Sequence, residues 1–321
     1  MMEAVLVKEK KNSFDLKKTF EKLAALSSLI IMMIFFSIFS EYFFTTTNLL
    51  TIALQTSVIG IIAIGQTMVI ITGGIDLSVG SIVAFSGVTS GLLVERGVPL
   101  MLALILGILI GAAVGVLNGG LISKANLPPF IATLGMMMVL RGLTLALTNG
   151  MPISSFDDSF VYLSGGTVFG IPNPVIYFIS LGLIFNFILK RTVLGKDIYA
   201  IGSNEDAARL SGVNVIKTKL MVYGFCGFLS GISGIILASR LISAQPTEGA
   251  GYELDAVAAV VIGGASLSGG KGNIIGTIIG AFIMSTLRNG LNMMNVSGFW
   301  QQFVVGIVLL LAVYVDQKRK K

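Results

Sequence analysis

The sequence predicts an all-α membrane protein, a polytopic bundle of about ten transmembrane helices that contains a pseudo-repeat. Three observations lead to this fold class: the composition, a series of long uncharged runs, and a Gly-rich segment that occurs twice. Of 321 residues, 54% are hydrophobic and only 12% are charged, whereas a soluble domain carries about 25% charged residues. Residues 1–321 are therefore expected to form a single membrane domain.

Ten apolar runs follow one another along the chain. A helix needs about 20 apolar residues to cross a bilayer, and the runs 82–94 and 256–264 are shorter than that. The basic segment 1–22 has the outline of a signal peptide, but residues 39–42 offer no small-x-small cleavage site, so the first run is expected to stay as an anchor. The runs are 23–40, 48–72, 82–94, 99–117, 130–147, 171–189, 220–239, 256–264, 274–287 and 299–315.

The positions of Lys and Arg orient these spans, because cytoplasmic loops are enriched in both residues. With ten alternating crossings and an internal N-terminus, 18 of the 22 basic residues fall on one side. They lie in segment 1–22, loop 190–219 and tail 316–321, and at Lys124 and Lys271. Both termini are therefore expected in the cytoplasm. Since the positive charge lies in loops, it does not indicate nucleic-acid binding.

Residues suited to catalysis or metal binding are scarce. The chain has no His, the commonest metal ligand and general base near neutral pH. Its single Cys, Cys226, lies in an apolar run and can form no disulfide within one chain. The segment GGKG at 269–272 lacks the spacing and the Ser or Thr of a phosphate-binding loop. We therefore expect no catalysis, metal or cofactor in this chain, and any ATP would be hydrolysed by another protein.

A Gly-rich sequence occurs twice. ITGGIDLSVG at 71–80, the first Gly-rich motif, matches VIGGASLSGG at 261–270, the second Gly-rich motif. Repeats with Gly-interrupted helices often line transport pathways, because unwound backbone is tolerated in a membrane only beside protein or water. We favour this interpretation over a pair of turns at the membrane surface, and we expect a short apolar segment after each copy. The pathway residues assigned in the two motifs are Gly73, Gly74, Ser78, Gly263, Gly264 and Ser266.

Further pathway candidates are polar side chains within or beside the apolar runs. An ionisable group at membrane depth is costly unless paired, so Asp76 is a functional candidate. Asp is also common at helix starts, and we favour the simpler interpretation that Asp76 caps a helix beginning near residue 78. Arg141 can extend to the nearer membrane surface or pair within the bundle. Gln66, Asn118 and Thr133 can hydrogen-bond a passing solute or a neighbouring helix.

The longest polar interruption is loop 190–219. Its centre predicts a short amphipathic helix that begins after an Asn N-cap and ends at a Gly with positive φ. The helix has too small an apolar face to form a core and needs a partner, which Ala207 and Ala208 are expected to face. An ordinary basic loop is the alternative. The residues assigned to this docking segment are Asn204, Glu205, Asp206, Ala207, Ala208 and Gly212.

Four ordered segments of this chain resemble one family, the permease subunits of ribose-type sugar ABC importers. They are GQTMVIITGGIDLSVGS, NLPPFIATLGMMMVLRG, GKDIYAIGSNEDAARLSGV and AVAAVVIGGASLSGGKGNIIGT. The resemblance covers about residues 48–316. Residues 206–212 also resemble the permease loop that inserts into a groove on the ATPase subunit, with Asp in place of Glu.

The resemblance implies a homodimer of permeases, a cytoplasmic ABC ATPase that binds the ATP, and an extracytoplasmic sugar-binding protein, in the plasma membrane of a prokaryote. It does not identify the sugar, because permeases for ribose, xylose and galactose share these motifs. The alternative is an ion-coupled secondary transporter in which a carboxylate such as Asp76 binds H⁺ or Na⁺. Loop 190–219 favours the ABC permease, the scarcity of buried carboxylates counts against the alternative, and a channel is more distant still.

Overall fold

The computed structural model describes residues 25–154 and 156–318, which are mostly helical. The predicted segment 1–22 and residues 319–321 of the tail lie outside the described residues. A short antiparallel ribbon pairs β1 (Thr167–Val168) with β2 (Ile171–Pro172). The helices are α1 (Ala25–Phe39), α2 (Thr46–Ile71), α3 (Val79–Glu95), α4 (Leu100–Ser123), α5 (Pro129–Thr148), α6 (Asp158–Gly165), α7 (Asn173–Arg191), α8 (Val193–Ser203), α9 (Glu205–Leu210), α10 (Val215–Leu241), α11 (Tyr252–Ile262), α12 (Ile274–Met293) and α13 (Gly298–Lys318).

The predicted polytopic helix bundle is confirmed, but the count of about ten crossings is not. Among the described residues, seven helices are long and apolar enough to cross a membrane: α2, α4, α5, α7, α10, α12 and α13. The other three runs correspond to the shorter helices α1, α3 and α11, and α11 has only 11 residues. The expectation of a short segment after each Gly-rich motif is wrong for the second motif, which leads into the 20-residue helix α12.

Helices α2 and α10 form the centre of the bundle. In the most apolar windows of these helices, 89% of α2 and 72% of α10 are buried, against 22% of α5 and 6% of α13. Helix α10 packs against α2, α3 and α4. It approaches α4 closely at Gly227, where a Cβ would overlap the carbonyl of Gly111. Small residues permit such contact between helices where no hydrophobic force drives association.

Both Gly-rich motifs form breaks between helices, and the two breaks touch. The first motif separates α2 from α3, and the second separates α11 from α12. Gly73 and Gly264 have φ angles of 83° and 90°, in the left-handed region that glycine adopts without a steric penalty. The Gly270 N–H donates to the Ile71 carbonyl at 2.9 Å. The sequence repeat is therefore present in the fold as a pair of connected helix breaks.

Candidate functional site

The docking segment forms helix α9, and its ends are set by local hydrogen bonds. Asn204 Oδ1 accepts from the Ala207 N–H at 2.8 Å, as expected of an N-cap. Glu205 and Asp206 occupy the first turn, where negatively charged carboxylates interact favourably with the positive end of the helix dipole. Gly212 has a φ of 88°, and the N–H of the next residue, Val213, returns to the Ala208 carbonyl. The predicted start and stop of this helix agree with the structure.

The two alanines of α9 face opposite ways. Ala208 is buried and packs with Ile201 of α8 and Val215 of α10. The expectation that both alanines face a partner is therefore wrong for Ala208, because its methyl group fills a small core between three helices. Ala207 stays exposed, and Leu210 has 90% of its surface exposed. The exposed apolar surface of α9 is thus formed by Ala207 and Leu210.

One ion pair fixes α9 to the start of α10, and a second lies within α9. Lys219 Nζ lies 2.7 Å from Glu205 Oε2, and Arg209 lies 3.2 Å from Glu205 Oε1. Exposed pairs of this kind contribute about 0.2–1 kcal/mol each, but the Lys219 side chain is only 13% exposed. Glu205 therefore holds α9 against the end of a central helix.

Asp76 is fully buried at the break between α2 and α3. Its Oδ1 accepts from the Ser78 N–H at 2.9 Å and from Ser78 Oγ at 2.6 Å. The carboxylate thus bonds Ser78, the residue that precedes α3, and its described hydrogen bonds include none to an N–H of α3 itself. The side chain is enclosed by protein, and no Lys or Arg in the described ranges forms an ion pair with it.

Side chains from three further helices complete a polar cluster around Asp76. Asn118 of α4 donates to Ser78 Oγ at 2.8 Å. Gln66 of α2 lies against Cys226 of α10, with 3.8 Å between Oε1 and Sγ. Tyr223 of α10 places its hydroxyl at Gly74, where a Cβ would overlap it. We define the polar cluster as Gln66, Asp76, Ser78, Asn118 and Tyr223, all buried.

The polar cluster has unused hydrogen-bonding capacity. Four of its buried atoms lack a partner in the described protein: Gln66 Nε2, Asp76 Oδ2, Asn118 Oδ1 and Tyr223 Oη. Buried polar groups are ordinarily paired, and unpaired ones concentrate where a protein binds or moves something. This set can both donate to and accept from a hydroxyl group. Sequence reasoning missed Tyr223, for which the available signal was a Tyr hydroxyl inside an apolar run.

The remaining candidates lie apart from the polar cluster or at its edge. Thr133 Oγ1 donates to the Ile75 carbonyl at 3.2 Å, beside Asp76. Arg141 is partly buried and donates at 2.6 Å to the carbonyl of Glu248, in the loop between α10 and α11. Ser266 donates weakly to Asp316 at 3.4 Å. Gly263 lies where α11 meets α12, and a Cβ there would meet the backbone of Gly276.

An ion pair in which the carboxylate is buried was also missed. Arg288 of α12 donates to Asp255 of α11 at 2.7 Å, and Asp255 is only 1% exposed. The two residues are far apart in the sequence, so no local pattern indicates the pair. The pair joins α11 to α12, the two helices that the second Gly-rich motif connects.

Comparisons with known proteins agree on a transport permease. The family described as "Branched-chain amino acid transport system / permease component" matches residues 48–313. The chain is 47% identical over 303 residues to the ribose import permease protein RbsC of Escherichia coli (strain K12), covering 92% of this chain and 94% of the relative. It is 46% identical over 319 residues to RbsC of Bacillus subtilis (strain 168), covering 99% and 98%.

A relative with another sugar in its name is also similar. The D-allose transport system permease protein AlsC of Escherichia coli (strain K12) is 40% identical over 289 residues, covering 90% of this chain and 89% of the relative. No solved structure matches the chain.

Proposed function

We propose a cargo and a mode of coupling for this chain, which belongs to the permease family of sugar ABC importers. The cargo we propose is ribose. The observation that carries this assignment is the identity of 46–47% to ribose permeases over more than nine-tenths of each chain, compared with 40% for the allose permease. The chain has no phosphate-binding loop of its own, so the energy would come from a separate ATPase subunit.

Helix α9 is the proposed docking element for that ATPase. Its exposed Leu210 and Ala207 offer a small apolar surface, and its first turn carries two carboxylates. If the ten predicted runs alternate across the membrane, 18 of the 22 basic residues fall on the same side as α9, which supports a cytoplasmic position for this end and both termini. An extracytoplasmic sugar-binding protein would then meet the opposite end. Helices α5 and α13, largely unburied in one chain, are available for contact with a second copy in a homodimer or with lipid.

The polar cluster is the proposed sugar contact on the translocation pathway. Its donors and acceptors match hydroxyl groups, and it lies near the α9 end, since Asn118 precedes the end of α4 by five residues and Tyr223 follows the start of α10. In the described conformation the polar cluster is closed, so sugar would reach it only when α2, α3, α4 and α10 separate. The helix breaks at Gly73, Gly74, Gly263 and Gly264 are the proposed hinges.

Uptake by proteoliposomes tests the cargo and the energy source. They would contain the chain with the ATPase and binding protein of the same organism, and radiolabelled ribose would be the probe. We expect uptake that requires ATP, survives an ionophore and is reduced more by unlabelled ribose than by allose or arabinose. Uptake of leucine but not ribose would contradict the sugar assignment. Uptake driven by an ion gradient without ATP would instead indicate a secondary transporter.

A further inference from the structure

We infer that helix α8 connects the docking helix α9 to both Gly-rich motifs, and that Tyr199 and Gly202 are the positioning residues of this connection. The inference deepens the proposed coupling through α9 and rests on it. It starts from the observation that α8 is the part of loop 190–219 that touches the two helix breaks.

Tyr199 reaches the second break. Its hydroxyl donates to the Gly272 carbonyl at 2.8 Å, between the second Gly-rich motif and α12. The ring is half-buried, and the bond spans 73 positions in the sequence. Movement of α8 therefore pulls directly on the backbone that leads into α12.

Gly202 seats α8 on the contact between the two breaks. A Cβ at Gly202 would overlap the Ile71 carbonyl and crowd the Gly270 N–H, the two groups that hydrogen-bond to each other. On the other side of the same contact, a Cβ at Gly269 would lie 2.8 Å from the Gly202 carbonyl and 3.1 Å from Gly73 N. Backbone meets backbone at this point, so α8 cannot shift without moving the ends of both motifs.

Helices α8 and α9 are joined tightly enough to move together. A single residue, Asn204, ends α8 and caps α9. Ala208 of α9 packs on Ile201 of α8, which is 2% exposed. A displacement of α9 by a docked ATPase would thus reach the two breaks through α8, and through the first break the buried Asp76.

Tyr199→Phe tests the hydroxyl, with Tyr177→Phe on the adjacent helix α7 as the matched control at a half-buried tyrosine. The single cysteine, Cys226, is buried beside Gln66 and reports opening of the polar cluster. In the complex with the ATPase, we expect ATP to change the rate at which a small methanethiosulfonate reagent modifies Cys226 in the unsubstituted chain and in Tyr177→Phe. Tyr199→Phe should reduce that change roughly fivefold or more, the range of ordinary allosteric coupling, while recovery of the ATPase stays normal.

Gly202→Ala tests the backbone contact, with Gly135→Ala as control, a helical glycine of α5 with open space around it. We expect Gly202→Ala to lower the amount of ribose imported per ATP hydrolysed, again with normal ATPase recovery, and Gly135→Ala to leave this ratio unchanged. The Cys226 measurement needs no sugar. It can therefore show the α8 connection even if the cargo is not ribose, and it can fail even if ribose is imported. The inference is overturned if modification of Cys226 is insensitive to ATP in the unsubstituted chain, or keeps its full sensitivity in Tyr199→Phe.

Discussion

The two Gly-rich motifs share a sequence pattern but make different hydrogen bonds in the folded protein. Asp76 in the first motif and Ser266 in the second occupy the same position of the pattern. Asp76 is fully buried, bonds Ser78 and joins the polar cluster, whereas Ser266 makes a long contact with Asp316. The second motif acts mainly through its backbone, by the bonds from Ser266 N to Lys271 O and from Gly270 N to Ile71 O.

This difference shows that two copies of a sequence repeat need not make the same side-chain contacts. Both motifs break a helix, because each contains a glycine that adopts a positive φ angle without a steric penalty. Only the first motif places an ionisable side chain among the polar residues of α2, α4 and α10. We therefore expect uptake to fall when a polar side chain of the first motif is replaced. At the second motif, uptake should fall when a substitution disturbs the backbone contacts.

The largest effect is expected from detaching helix α9, because both motifs are proposed to be coupled to the ATPase through it. In Ala208→Glu, a charge replaces a methyl group that is 5% exposed between α8, α9 and α10. An unpaired buried charge is strongly unfavourable, so α9 should detach. We expect normal insertion and abundance, abolished ribose uptake and reduced recovery of the ATPase in a pull-down. Ala125→Glu, at an exposed alanine after α4, is the control. Normal uptake by Ala208→Glu would mean that loop 190–219 is a plain connector.

A smaller effect on ribose uptake is expected from Asp76→Asn, and comparison with Ser266→Ala distinguishes the two motifs. Asp76→Asn keeps an oxygen for the Ser78 N–H, and Asn caps helices as well as Asp. It removes the carboxylate, which hydrogen-bonds hydroxyl groups more strongly than an amide by about 1.5 kcal/mol. We expect ribose uptake to fall by about tenfold without a lower melting temperature in detergent, while Ser266→Ala stays within roughly twofold. Undiminished uptake by Asp76→Asn would reduce Asp76 to a helix cap.

The smallest effect concerns one hydroxyl in the polar cluster. Tyr223→Phe removes an oxygen that has no partner in the described protein, so the free energy of unfolding should not decrease. If the hydroxyl bonds sugar, uptake should fall roughly threefold, as expected for one neutral hydrogen bond. Tyr162→Phe, at a tyrosine that is 61% exposed, serves as control. A loss of thermal stability without a change in uptake would assign Tyr223 to packing instead.

Local signals were enough to identify α9 and the helix breaks. The N-cap at Asn204 and the positive φ at Gly212 depend on hydrogen bonds within a few residues. The same holds for the membrane class, since composition and uncharged runs are properties of the sequence alone. The span count was less predictable, because α3 and α11, which adjoin the two breaks, have only 17 and 11 residues.

The sequence by itself determined a membrane helix bundle of the sugar-permease family, a short capped helix within loop 190–219 and a pair of Gly-rich breaks. Only the tertiary structure decided that Ala208 faces inward, that Asp76 is enclosed by protein, and that Tyr223 joins Gln66 and Asn118 in one buried cluster. The physical reason is range. Caps and turns form between neighbours in the chain, whereas the contacts of the polar cluster and of α8 with the breaks join residues that lie, for example, 40, 73 and 160 positions apart.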